Sequence, residues 1–255
     1  MKILDTNSDS FLSNNSLLRG EQVFTSLLFR EGKLLFCKEH LTRLMKGAAF
    51  LFPQHHWPDY EHEIYDHVLK KVKEVEKKNY YCRLTIIDDC FFMILKEHTV
   101  TEINISLINA FQVKTPTLRP SFLKLSQYAD SLLELRKANE VKASDVIFFD
   151  QMNFLTEAST SNVFVVKNTG ELVTPYLSSM VLDGILRTQL IKNFQVKEQN
   201  ITSADLVAAR EIWLSNSIQG IRFVEQYEQK KKSRNNSLFD TVLENFGRFG
   251  EKVCE

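Results

Sequence analysis

Apolar and polar positions along the first half of the chain fall into two periods, and the switches between them mark out elements. Val23 to Phe29 reads as a strand. Glu31-Gly32 supplies a turn, and Leu34 to Phe36 can return as the hairpin partner. Glu39 to Phe52 reads as a helix that stops before Pro53, because the residue ahead of a proline is pushed out of the helical region. From about Asp59 to Lys78 the apolar residues Tyr60, Ile64, Val68, Val72 and Val75 recur every four or three positions, which places them on one helix face. Strands are then predicted over Tyr80 to Ile87, Cys90 to Leu95 and Glu102 to Ile108, with Asp88-Asp89 turning between the first two.

Gln112 to Ser121 carries Pro116 and Pro120 and reads as an interdomain linker. The expected organisation is an N-terminal domain over 1–111, this linker over 112–121 and a C-terminal domain over 122–255. Beyond the linker, Phe122-Leu123-Lys124 precedes a helix from about Tyr128 to Glu140. Asp145 to Phe149 and Asn162 to Lys167 read as strands. A helix starts near Gly184, and another spans Ser203 to Ala209 with Ser203 as its N-cap; a strand follows at Glu211 to Ser215. Strands and helices mix in both halves, an α+β or mixed α/β pattern.

Composition narrows the class of partner. The 255 residues are 44% hydrophobic, enough to bury a sizeable core. Lys plus Arg total 32 and Asp plus Glu total 32, so net charge offers no electrostatic case for nucleic acid or an anionic membrane. A small-molecule or protein partner fits better. Cys37, Cys82, Cys90 and Cys254 form no C-x-x-C pair and read as reduced thiols of a cytoplasmic protein. The polar N-terminus has no signal-peptide block, and no apolar run approaches a bilayer span. The six histidines lack metal-ligand spacing, and no metal is expected. The basic segment Lys230 to Asn236 reads as a solvated turn.

The chemistry-bearing residues lie mostly in the second half. The run Asp145-Val-Ile-Phe-Phe-Asp-Gln-Met-Asn-Phe-Leu-Thr-Glu157-Ala-Ser-Thr-Ser-Asn162-Val-Phe is followed by Thr174-Pro175 and by Leu182-Asp-Gly184-Ile185-Leu-Arg187. Upstream stands Glu39-His-Leu-Thr-Arg43-Leu. In this order and spacing the set resembles the class IV aminotransferases, the fold-type IV pyridoxal-phosphate enzymes, and the likeness covers most of residues 19 to 224. It implies a two-domain fold like that of D-amino-acid aminotransferase, with pyridoxal 5'-phosphate as cofactor.

The resemblance makes Lys124 the Schiff-base lysine, placed on a strand ahead of the helix, with Lys114 as the fallback. The family pattern Lys-x-x-Asn is here Lys124-Leu-Ser-Gln127. Such an amine must be neutral to attack, so it needs surroundings that lower its pKa from roughly 10.4. Glu157 would face the ring nitrogen and keep it protonated. Arg43, Ser217 and the backbone at Gly184 and Ile185 would hold the phosphate, the last two by opening a helix. Tyr128 matches the tyrosine that bonds the ring oxygen. Sequence periodicity alone favours an exposed helix arginine for Arg43, and the resemblance reverses that; for Tyr128 the alternative is a core tyrosine.

Within the family, Leu214-Ser-Asn216-Ser217-Ile-Gln-Gly220-Ile-Arg-Phe-Val224 is most similar to the 4-amino-4-deoxychorismate lyase form. That implies release of 4-aminobenzoate and pyruvate in folate biosynthesis, with Asn216 on a substrate carboxylate. Arg83 is a second carboxylate binder or a structural ion-pair partner, and Thr25, with Ser26, could relay a proton. The alternative is an aminotransferase acting on branched-chain or D-amino acids with 2-oxoglutarate. A third reading is a non-catalytic homologue. The resemblance also implies a homodimer.

Overall fold

A computed structural model describes residues 1–3, 15–76, 78–99, 105–178, 180–234 and 238–249. The chain separates into two compact units, one holding 1–100 and 122–127, the other 101–121 and 128–249.

In the first unit the described elements are β1 (Lys2–Ile3), α1 (Asn15–Leu18), β2 (Val23–Arg30), β3 (Lys33–Leu34), α2 (Cys37–Leu51), α3 (Pro58–Lys73), β4 (Tyr80–Ile87) and β5 (Cys90–Glu97). The sheet runs β1-β5-β4-β2-β3, with β4 antiparallel to both β2 and β5. Helix α2 packs on β2 closely enough that Gly47 matters: a Cβ there would come within 2.6 Å of Val23 Cγ2. The apolar face of α3 follows the predicted spacing, with Ile64, Val68 and Val72 buried. This helix ends at Lys73, short of the expected Lys78. The Glu74 N–H turns back to the Lys71 carbonyl, and Val75 leaves the helix yet still packs against the core.

The second unit holds β6 (Ile105–Asn109), α4 (Ala129–Glu140), β7 (Asp145–Phe149), β8 (Leu155–Ala158), β9 (Asn162–Val166), β10 (Leu172–Thr174), α5 (Ile185–Asn193), β11 (Val196–Glu198), α6 (Ser203–Ala208), β12 (Glu211–Asn216), β13 (Gly220–Tyr227), β14 (Lys230–Lys231) and α7 (Leu238–Phe249). Its sheet runs β11-β10-β9-β12-β13-β6-β7-β8, with β14 beside β13. Strand β9 is buried on both faces: Val163 and Val165 join one apolar cluster, Phe164 and Val166 another built with α5 and α7. That double burial explains its unbroken apolar run.

Several expectations need correction. The boundary was placed at a 112–121 linker, but β6 pairs in parallel with both β7 and β13, which ties the preceding half's last strand to the second unit. The Lys114 N–H donates to the Phe149 carbonyl at 2.9 Å, so this proline-bearing stretch is anchored to that unit. Residues 122–127 then return to the first unit, where the Phe24 N–H donates to the Lys124 carbonyl at 2.9 Å. Lys124 therefore lies in a bridging segment rather than a strand, next to a single antiparallel bridge between Val23 and Leu125.

The N-cap of α6 is Thr202 rather than Ser203. Its hydroxyl accepts the Asp205 N–H while Asp205 accepts the Thr202 N–H, a reciprocal capping box. The basic segment near Lys230 is partly structural. Lys230–Lys231 form β14, and the Lys232 ammonium donates to the carbonyls of Leu206, Val207 and Ala209 at 2.7–2.9 Å, satisfying groups that the end of α6 leaves open. Asn235 and Asn236, the strand start at Glu102, and Cys254 lie outside the described residues. Among the described residues no helix is long and apolar enough to cross a membrane.

Candidate active site

In the first unit the predicted residues converge on β2. Thr25 points from β2 toward α2, and His40 and Arg43 stand three positions apart on α2, on the face that meets it. The Thr25 hydroxyl and His40 Nδ1 are 2.6 Å apart, and Arg43 Nη2 donates to Thr25 Oγ1 at 3.0 Å. All three side chains are buried. Arg43 is thus a buried cation and not the exposed helix arginine that residue type alone allowed. His40 is missing from the predicted set although it stands inside the Glu39 to Leu44 motif; nothing about an isolated histidine reveals its burial. Burial pushes its pKa well below the ordinary histidine value, and the charges of Arg43 and Lys124 push the same way. The ring is neutral at pH 7. Its Nε2 is buried without a hydrogen-bond partner among the described residues.

Lys124 is half-buried, and its ammonium lies 4.7 Å from the centre of the Phe24 ring. The Arg83 guanidinium sits 3.6 Å from the centre of the same ring. Arg83 also donates to Ser126 at 2.8 Å, beside Lys124 in sequence, and weakly to Thr85. Among the described residues Arg83 forms no ion pair with a carboxylate. The first unit thus gathers Lys124, Arg43 and Arg83 around β2, an arrangement suited to anionic groups.

In the second unit Glu157 lies on β8, with 17% of its side chain exposed. One carboxylate oxygen accepts from Lys114 Nζ at 2.7 Å and the other from the Leu182 N–H at 2.9 Å. It is therefore a fixed strand carboxylate and not a solvated loop glutamate. Leu182 leads into Gly184, the N-cap of α5, which makes no side-chain capping bond. The amide of Asn162 donates to the Leu182 carbonyl at 2.9 Å and packs beneath Gly184. A Cβ on Gly184 would come within 2.1 Å of Asn162 Oδ1. Glycine is required here for space, since its φ of −70° is open to any residue. The result is a helix start without a side-chain cap, where the Gly184 N–H turns back to the Leu182 carbonyl at 2.8 Å.

Asn216 ends β12, and its side chain is already engaged. The carbonyl oxygen accepts the N–H groups of Ile218 and Gln219, and the amide donates to Ser161 at 3.0 Å. It shapes the turn that carries Ser217, which weakens its expected role as a direct carboxylate ligand. Ser161 in turn accepts from Arg222, whose guanidinium lies 3.8 Å from Asp145. Burial raises the Asp145 pKa, opposed by bonds from Ser159 and the Val146 N–H and by the charge of Arg222. Tyr128 is the half-buried N-cap of α4 and belongs to this unit. Among the described residues no group of His, Cys, Asp and Glu could hold a metal ion.

Each unit taken by itself carries groups of the kind pyridoxal phosphate takes: in the first, a buried arginine suits a phosphate and a half-buried amine an aldehyde; in the second, a helix start suits a phosphate and a fixed carboxylate a protonated ring nitrogen. The comparisons agree in kind. A protein from Methanocaldococcus jannaschii, provisionally named branched-chain-amino-acid aminotransferase, is 26% identical over 230 residues, covering 80% of this chain and 77% of its own. A Schizosaccharomyces pombe protein, provisionally named aminodeoxychorismate lyase, is 24% identical over 205 residues, covering 78% and 87%. The crystal structure of a Legionella pneumophila protein, provisionally named 4-amino-4-deoxychorismate lyase, superposes with a TM-score of 0.84 at 22% identity, covering 97% of this chain and 98% of the other. Residues 22–227 match the family described as amino-transferase class IV, and with a match of that extent the chain belongs to that family.

Proposed function

We propose that this chain is a pyridoxal-phosphate enzyme that converts 4-amino-4-deoxychorismate to 4-aminobenzoate and pyruvate. The observation that carries the cofactor reading is the Glu157 carboxylate, held by Lys114 and the Leu182 N–H at the approach to the start of α5. When bound, the cofactor supplies an electron sink for the carbon that loses its proton.

In this reading Lys124 is the amine that would hold the cofactor aldehyde and, as a neutral base, would move the proton of the carbon bearing the substrate amine. Glu157 holds the proton on the ring nitrogen. Arg43 and the first N–H groups of α5 bind the phosphate, with Ser217 adding a hydroxyl and Tyr128 bonding the ring oxygen. Arg83, stacked on Phe24 and free of any carboxylate among the described residues, is the better binder for the substrate carboxylate. Thr25 has a narrower role than proton relay: its hydroxyl fixes Arg43. The Asn216-Ser217 turn favours the lyase. The second reading, transamination of branched-chain or D-amino acids, is favoured by the name of the M. jannaschii relative. The homodimer implied by the family goes with either reading and is checked by light scattering.

Cofactor-loaded protein incubated with 4-amino-4-deoxychorismate should release 4-aminobenzoate, with D-alanine and leucine, each paired with 2-oxoglutarate, inert. Glutamate formation at enzymatic rates in the controls selects the aminotransferase instead. Borohydride reduction followed by peptide mapping should place the label on Lys124; a label elsewhere sinks the assignment.

A further inference from the structure

Lys114 has no part in the chemistry proposed above. Its ammonium nevertheless meets the one carboxylate on which that chemistry leans. The backbone of Lys114 is fixed by the N–H bond to Phe149 and by a parallel bridge to Asp150. The side chain is 20% exposed, passes 4.9 Å from the centre of the Phe148 ring and ends 2.7 Å from Glu157 Oε1. Phe148 and Phe149 are on β7, the antiparallel neighbour of the strand that carries Glu157.

Glu157 is therefore gripped from two directions. Lys114 takes one oxygen, and the Leu182 N–H takes the other from the segment leading into α5. A carboxylate offers about four acceptor positions, so both oxygens keep capacity for a further donor. A glutamate has three side-chain torsions, and holding them in advance removes an ordering cost that a ligand would otherwise bear on binding. The grip is internal to the second unit.

We propose that Lys114 is a positioning residue that fixes the Glu157 carboxylate for the ring nitrogen of pyridoxal phosphate. This rests on the cofactor reading above. Lys114 acts through Glu157 and does not itself carry the aldehyde.

The test is a double-mutant cycle read as the dissociation constant of pyridoxal phosphate, from titration of apoprotein followed by visible absorbance. K114M should weaken binding about tenfold, as loss of a residue that orients a ligand commonly does. The double variant K114M/E157Q should bind no worse than E157Q alone, because Lys114 has nothing left to position. K114R, which keeps the donor and the charge, should stay within about threefold of the parent. K114Q replaces K114M if the latter does not fold. Borohydride should still label Lys124 in K114M. The inference is overturned if K114M binds as tightly as the parent, or if its loss adds in full to that of E157Q, while the parent still binds the cofactor through Lys124. If the parent takes up no cofactor, the functional reading itself falls and this inference with it. If the label in the parent is on Lys114, Lys114 is the carrier and both assignments change.

Discussion

The two units bury charge in opposite ways. In the first, the electrostatic influences on the buried His40 ring are those of Arg43 and Lys124, both positive, and the ring answers by staying neutral. Arg83 joins them at Phe24 without an ion-pair partner among the described residues. In the second, buried or half-buried carboxylates sit beside bases: Glu157 with Lys114, Asp145 with Arg222, and Glu134 with Lys137. Cations gathered in one place raise the local positive potential, and that favours an arriving anion. A paired carboxylate is settled in advance and changes little on binding. The difference teaches that the first unit is prepared to receive negative charge, whereas the second presents a fixed acid.

That contrast can be broken most directly at Glu157. If the fixed acid is the electronic anchor, E157Q should lower turnover by roughly 10- to 100-fold, the size of one charge-assisted bond. Steady-state kinetics on cofactor-saturated protein reads this, and an unchanged rate would leave the second unit's acid with a purely structural role. Gly184 probes the same unit by shape. Because a Cβ would collide with Asn162 Oδ1, G184A should destabilise the fold by roughly 1–3 kcal/mol. Chemical denaturation measures this, and G184A/N162A should recover most of the loss by making room.

The first unit is sharpened by pH. His40 is held neutral in the fold, so its folded pKa lies below its unfolded value. Below pH roughly 6.5 the unfolded chain takes up a proton that the folded chain refuses, and this favours unfolding. The contribution of His40 to stability is therefore complete above that pH and falls by about 1.4 kcal/mol for each pH unit of acidification. Its loss continues down to the folded pKa. The difference in unfolding free energy between the parent and H40Q should shift against the parent as pH falls below roughly 6.5. A flat difference would mean that the histidine is not excluded from protonation.

Much of the fold was legible because local rules and packing agree. The face of α3 at Ile64, Val68 and Val72, the hairpin of β4 and β5 around Asp88-Asp89, and the buried strands β7 and β9 all follow periods set by backbone geometry. The domain boundary was not legible. Pro116 and Pro120 mimic a linker, and only long-range pairing of β6 with β13 shows which unit the segment joins. Glu157 was legible as a residue, but its place on a strand was not. Lys114 was legible only as a spare amine.

The sequence by itself determined the family, since its motifs stand in the family's order and spacing. It also determined most elements, because periodicity is a property of neighbours along the chain. Only the tertiary structure decided which of those side chains are buried, which carboxylates have partners, and that Arg43 is held by Thr25 while Lys114 grips Glu157. Those pairings join residues 18 and 43 positions apart, and ionic and hydrogen-bonding partners depend on distance in space, which the order of residues does not encode.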